Sequence, residues 1–260
     1  MIPDPYCTLS VLVFAVGLCI GSFLNVCIYR IPESVSVVFP PSACPACHAP
    51  IRWYDNIPVL SYLVLRARCR RCQTAIPLRY PLIELLTGLS ALAAYFTWGP
   101  GISLLVYFTF IAVMILITFI DIDHQIIPNA ISLPGIPIFY AAAFLVPGAG
   151  WDERLIGILI GGGSLWTVNV IYRLVKRMDG MGGGDVKLLA LIGGFIGWQG
   201  VFFTIFISSA AGSLIGLFIM CLRRKSLTFA IPFGPFLALG GVLYIFFGSE
   251  LINWYLHLGY

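Results

Sequence analysis

Three carboxylates and four thiols carry most of the chemistry that this 260-residue sequence could perform. Asp121 and Asp123 close an apolar run in Phe119-Ile-Asp-Ile-Asp-His-Gln-Ile-Ile-Pro128, and Asp185 follows three glycines in Gly180-Met-Gly-Gly-Gly-Asp-Val-Lys187. Carboxylates within or at the edge of hydrocarbon are expensive, so each requires a reason to be there. Two that share a site cannot both ionise easily, so one keeps its proton while the other acts as a base. That pairing is what peptide hydrolysis by an activated water needs. On a helix, residues two apart point to nearly opposite faces, so only one of Asp121 and Asp123 can face Asp185. The run Gly182 to Gly184 permits backbone conformations and close approaches closed to other residues. A helix starting near Asp185 would favour that residue as the anion. The same residues also read as interfacial helix ends and a flexible turn, or, with Lys187, as the lining of an ion or proton pathway. Zinc and serine protease chemistry are disfavoured: there is no HExxH, and Ser164 has only the late His257, expected on the opposite side.

Cys44-Pro-Ala-Cys47 and Cys69-Arg-Arg-Cys72 form two CxxC pairs separated by 21 residues. Two such turns complete a tetrahedral four-sulfur site with no open position, which makes the expected metal, Zn2+, structural. The surrounding segment from Arg30 to Arg79 is about 50 residues long and poor in hydrophobic pattern, and a domain of that size needs a staple to fold. Disulfide pairing and a redox CxxC are the alternatives, and a cytoplasmic location, where thiols stay reduced, disfavours the disulfide. Cys7, Cys19, Cys27 and Cys221 lack pair spacing and read as inert apolar fillers.

The elements that must position these groups are membrane helices. Apolar residues make up 60% of the chain and charged ones 10%, with a mean hydropathy of +0.97. A soluble domain is about 25% charged, so a soluble enzyme is excluded. A net charge of +4, dispersed along the chain, gives no reason to expect nucleic acid as a partner. Eight apolar runs are long enough to be spans: Leu9 to Ile28, Leu82 to Trp98, Ile102 to Ile120, Ala130 to Val146, Leu155 to Ile171, Val186 to Trp198, Val201 to Leu222 and Phe229 to Phe247. The first has no basic region before it and reads as a retained helix. The seven Arg of the segment from Arg30 to Arg79 inclusive, the group Arg173, Lys176 and Arg177, and the group Arg223, Arg224 and Lys225 all fall on one side. That side is expected to be cytoplasmic, with both termini outside and all three aspartates at the cytoplasmic boundary. The expected fold class is an all-α polytopic membrane protein of about eight transmembrane helices with a small zinc-stapled cytoplasmic loop.

Taken jointly, several strings resemble the bacterial type IV prepilin peptidases of the GxGD aspartyl membrane protease family. They are Gly21-Ser-Phe-Leu-Asn-Val-Cys-Ile-Tyr-Arg-Ile-Pro32, the two CxxC pairs, Ile76-Pro-Leu-Arg-Tyr-Pro-Leu-Ile-Glu-Leu-Leu-Thr-Gly88, Asp121 through Asn129, and Gly182 to Asp185 followed by Lys187. The resemblance implies that Asp185 pairs with the aspartate seven residues before an Ile-Pro proline. That is Asp121, ahead of Pro128, with Asp123 tuning the site or binding substrate. It implies cleavage of a basic prepilin or pseudopilin leader after a glycine at the cytoplasmic face of the inner membrane. Methylation of the new N-terminus with S-adenosylmethionine follows. Residues 1–100 would form the methyltransferase part and 101–250 the peptidase core. No soluble nucleotide-binding fold occurs in the loop, so Asn25, Arg30, Glu33 and Glu84 are the candidate polar groups for the methyl donor. For Arg30 interface anchoring, and for Glu84 a salt bridge to a nearby arginine, are the plainer readings. The partners implied are prepilins, membrane lipids and pilus or secretion machinery. Two other readings stand beside this one: a peptidase without methyltransferase activity whose zinc loop is a docking platform, and a transporter lined by the same acids.

Overall fold

The computed structural model describes residues 5–176, 182–223 and 232–257. Arg177, Met181, Arg224 and Lys225 lie outside the described residues. Among those described, regular structure is helical: α1 (Pro5–Arg30), α2 (Leu60–Val64), α3 (Arg79–Trp98), α4 (Ile102–His124), α5 (Asn129–Ala142), α6 (Trp151–Lys176), α7 (Gly183–Arg223) and α8 (Gly234–His257). Five of these are long and apolar enough to cross a bilayer, and Asn129–Leu145 and Gly234–Gly248 are shorter apolar helices. With α7 divided by a bend, the apolar segments number the eight expected. The protein is an all-α polytopic membrane protein.

The bend is where expectation and structure differ. The sixth and seventh expected spans are one helix of 41 residues, broken only at Gly197, whose φ of 83° and ψ of 173° leave the helical region. A left-handed φ of this kind is open to glycine at little steric cost. In place of the break expected between Trp198 and Val201 there is a one-residue turn at Gly197, and the helix also begins earlier than expected, at Gly183, so Asp185 lies in its first turn.

The chain divides into two compact units, Met1–Leu116 and Ile117–Tyr260. In the first, α1 packs along α3 through small residues. A Cβ on Gly17 would lie 2.7 Å from Ala91 Cβ, and one on Gly21 would lie 2.7 Å from Glu84 Cα. Apolar helices in lipid gain nothing from excluding water, so close van der Waals approach at small residues is what holds them together. The segment between α1 and α3 has little regular structure: one 3-10 turn (Trp53–Asn56), α2, and two isolated bridges, Ala43 to Pro50 and Arg68 to Ala75. An exposed ion pair, Arg70 to Asp55 at 2.6 Å, holds the Asp55 carboxyl below the usual carboxylate range. At such exposure its contribution to stability is small.

In the second unit α7 is the axis. Its first arm meets α6 at Gly157 against Gly193 and at Gly161 against Leu189, where backbone touches backbone. Gly135 of α5 sits on Leu191, and Gly240 of α8 faces the Thr204 carbonyl. The Ser208 hydroxyl lies 2.9 Å from the Phe236 carbonyl oxygen, to which it donates, joining α7 to α8. A Cβ on Gly193 would fall onto the Gly157 carbonyl. Gly193→Ala should therefore destabilise the unit by about 1–3 kcal/mol, read as a lowered unfolding temperature in detergent, and an unchanged temperature would contradict this packing.

Candidate active site and metal centre

α4 does not stop at Ile120 but runs on to His124, so Asp121 and Asp123 are on a helix and face different ways. Asp121 is 5% exposed, whereas Asp123 is exposed. The helix ends where Gln125, at φ 54°, returns its N–H to the Asp121 carbonyl at 2.9 Å. Ile127 is buried beyond that turn and Pro128 leads into α5. The Asp121 Oδ2 accepts the backbone N–H of Gly234, the first residue of α8, at 3.0 Å.

Asp185, in the first turn of α7, is partly buried. Its carboxyl is close enough to Asp121 for the two charges to interact. Its N–H bonds the Gly182 carbonyl at 3.3 Å. The glycines before it differ in their surroundings. Gly182 and Gly183 are exposed with open space about them, but a Cβ on Gly184 would lie 2.8 Å from Ile127 Cβ. Gly184 thus sets how near the start of α7 comes to the turn below Asp121. Lys187, one helical step on, donates from Nζ to Asn129 Oδ1 at 2.6 Å and ties α7 to the start of α5. A side chain at Gly184 would force the start of α7 away from the turn below Asp121, so Gly184→Ala should lower the unfolding temperature in detergent, and an unchanged temperature would contradict this contact.

The four cysteines of the two CxxC pairs are brought together. Cys44, Cys47, Cys69 and Cys72 place their Sγ atoms within 4.8 Å of one another, and none is in a disulfide. The two turns are built alike. Cys44 N–H bonds the Ala49 carbonyl and His48 N–H the Cys44 carbonyl, while Cys69 N–H bonds the Thr74 carbonyl and Gln73 N–H the Cys69 carbonyl. The residue four after each first cysteine, His48 or Gln73, takes a left-handed φ of 54° or 60°. Four thiols this close cannot all ionise without a cation between them. The Thr74 hydroxyl, 3.2 Å from Cys72 Sγ, draws that thiol down to about 6. The Ala49 amide lowers Cys47, but burial and the other three thiols push it up to about 11. A thiophilic dication would remove that conflict, so the donor set fits a metal ion.

The four candidate groups for a methyl donor separate. Asn25 Nδ2 donates to the Tyr80 carbonyl at 3.1 Å, and buried Glu84 accepts the Val59 N–H at 2.8 Å with Ser22 also in reach. Asn25 therefore ties α1 to the start of α3, Glu84 braces the loop, and Glu84 has a backbone partner where an arginine was the plainer expectation. Glu33 is exposed. Arg30 donates to the Ser36 and Pro40 carbonyls at 2.9 and 2.8 Å and also lines a cavity of about 330 Å3. Ser22, Phe23, Ser42 and Asn56 share that wall.

Sequence reasoning missed Asn129 and Gly234. Asn129 had a signal, since it directly follows the Ile-Pro pair. Gly234, 113 residues from Asp121, had only the helix-start pattern Phe233-Gly-Pro235.

Residues 15–98 match the bacterial peptidase A24 N-terminal domain, and residues 108–217 match the type IV leader peptidase family. The prepilin leader peptidase/N-methyltransferase of Aeromonas salmonicida is 36% identical, over 94% of this chain and 93% of its own length. Its counterpart in Pseudomonas aeruginosa is 37% identical, over 92% and 91%. That of Myxococcus xanthus is 37% identical, over 81% and 63%. No solved structure matches the chain. With an aspartate pair at the base of its C-terminal helices, four clustered thiols in its N-terminal segment, and relatives this similar along nearly its whole length, the chain belongs to the type IV leader peptidase family.

Proposed function

We propose that the protein cleaves the leader of type IV prepilins or pseudopilins with Asp121 and Asp185 as its catalytic dyad, and methylates the new N-terminus. The observation that carries the reading is the pairing of two carboxyls, one from the end of α4 and one from the start of α7, near enough to share charge in a mostly apolar unit. One carboxylate takes a proton from water, whose oxygen attacks the scissile carbonyl carbon, while the other carboxyl gives its proton to the carbonyl oxygen. The resulting diol collapses as the first carboxyl returns its proton to the leaving nitrogen and the second recovers one from a diol hydroxyl. The pair ends as it began. Gly182 and Gly184 leave room for the substrate strand and for Ile127, Lys187 fixes α7, and exposed Asp123 meets substrate at the rim.

Residues 1–100 form the methyltransferase part and 101–250 the peptidase core in this reading. The cavity beside Arg30 is within the roughly 300–1,000 Å3 range of small-molecule sites. Its arginine suits the carboxylate of S-adenosylmethionine, with Ser22, Ser42 and Asn56 supplying further polar contacts. That donor supplies an electrophilic methyl group. Asn25 ties α1 to α3, and Glu84 keeps the loop against α3. Cys44, Cys47, Cys69 and Cys72 hold Zn2+ as a closed, structural site. The basic loops face the cytoplasm of a bacterium from its inner membrane, the termini lie outside, and cleavage occurs at the cytoplasmic face beside pilus or secretion machinery.

The test is incubation of purified protein in lipid with a model prepilin and methyl-labelled S-adenosylmethionine. Cleavage after the leader glycine with label on the new N-terminal residue supports the reading. An uncleaved substrate overturns it, and cleavage without label removes the transferase half.

A further inference from the structure

The two aspartates are not held alike. Asp121 is nearly fully buried and its Oδ2 receives a backbone N–H from Gly234, the first residue of the 24-residue α8. Nothing among the described residues donates a hydrogen bond to the Asp185 carboxylate, although that residue stands in the first turn of α7. The α7 dipole favours an anion at Asp185, which is the assignment expected from sequence. A direct N–H bond to a charged oxygen is the stronger of the two effects, because it acts at contact distance and the dipole is spread over a turn. The approach is also tight: a Cβ on Gly234 would lie 2.6 Å from that Oδ2 and 3.2 Å from Asp121 Cγ. No side chain fits between α8 and the carboxylate.

We infer that Gly234 is a positioning residue that holds Asp121 as the ionised, water-activating member of the dyad and leaves Asp185 to carry the proton. In the reaction, Asp121 accepts the proton of the attacking water and later passes it to the leaving nitrogen. Asp185 protonates the carbonyl oxygen and recovers its proton when the diol collapses. Both carboxyls return to their starting states, and no further reactant is needed. The inference rests on the dyad reading above and assigns the two roles within it.

The test removes the single N–H. Glycolate in place of glycine at 234, introduced by nonsense suppression into the full chain in lipid, turns the amide into an ester and leaves every side chain alone. The same exchange at Phe236, whose N–H bonds the Phe233 carbonyl at 3.1 Å in the same turn, controls for loss of any helical amide. With a model prepilin, the 234 ester should lower kcat roughly 10- to 100-fold with KM within about twofold, as expected for loss of one hydrogen bond to a charged group. The 236 ester should change neither by more than about twofold. Gly234→Ala should lower kcat at least as far as the ester. A 234 ester with normal kcat overturns the inference, and so does an equal loss in both esters. If Asp121→Asn and Asp185→Asn both cleave normally, the dyad itself fails. If they are inactive while the 234 ester is normal, only the role of Gly234 falls.

Discussion

Exchange of Asp185 for Asn is expected to lower leader cleavage by about 10⁴-fold or more, because proton transfer at this position contributes about 10²–10⁴-fold and the dyad acts as a unit. Asn matches the carboxyl in size but cannot pass a proton. Asp185 is only partly buried and Asn is nearly its isostere, so its replacement has small structural reach. It also removes a carboxyl that can ionise only against the charge on Asp121. The unfolding temperature should accordingly stay the same or rise. A variant that lost activity through damage to the fold would move the other way. Inactivity with an equal or higher unfolding temperature, measured on the same preparation, is the expected result. Retained cleavage, or inactivity with a lowered unfolding temperature, would contradict it.

The second large effect concerns the cysteine cluster. Cys47→Ser should take bound metal from one equivalent to none and release the segment between α1 and α3. That segment has few helical residues and two isolated bridges to hold it, and each bridge closes around one CxxC pair. Structural zinc binding contributes on the order of 10–16 kcal/mol to the fold of small domains, far more than the exposed Arg70 to Asp55 pair can replace. Trypsin should then cut at Arg66, Arg68, Arg70 and Arg71, which are exposed but sit in tight turns that must open before the chain can extend into a protease, while the helices remain resistant. Because the ligands are thiolates, metal should also leave as pH falls and protons compete for the sulfurs. Elemental analysis and limited proteolysis measure both. A metal-free variant with an uncut loop would show that the cluster is not a staple.

Much of this arrangement was legible from residue types and spacing. The apolar runs foretold the helices because lipid demands long uncharged segments, and two CxxC pairs foretold a sulfur cluster because few other functions use that spacing. Helical geometry required only that one of Asp121 and Asp123 face Asp185; the choice of Asp121 came from the family resemblance, through its spacing to Pro128, and Asp121 is the buried one of the two. Other features depend on tertiary approach. Polar Gln199 and the adjacent Gly200 read as a gap between two spans, whereas one left-handed residue, Gly197, suffices to bend a continuous helix. Helix dipole reasoning favoured Asp185 as the anion because α7 is local in sequence, while the hydrogen bond to Asp121 arrives from α8 across 113 residues. The bond from Lys187 to Asn129 spans 58 residues and is equally invisible to periodicity. The methyl-donor candidates separated for the same reason: Asn25 and Glu84 are polar in an apolar setting, but their partners are backbone groups of Tyr80 and Val59.

The central claim is that Asp121, and not its neighbour two residues on, works with Asp185. Single-turnover cleavage of a model prepilin by Asp121→Asn and Asp123→Asn, side by side in lipid, tests it most directly. Buried Asp121 and exposed Asp123 lie on different faces of one helix, so a general disturbance of that helix would affect both variants alike. The result predicted is no detectable cleavage by Asp121→Asn and a rate within about tenfold of the parent for Asp123→Asn. Cleavage by Asp121→Asn, or an inactive Asp123→Asn beside an active Asp121→Asn, would contradict the account.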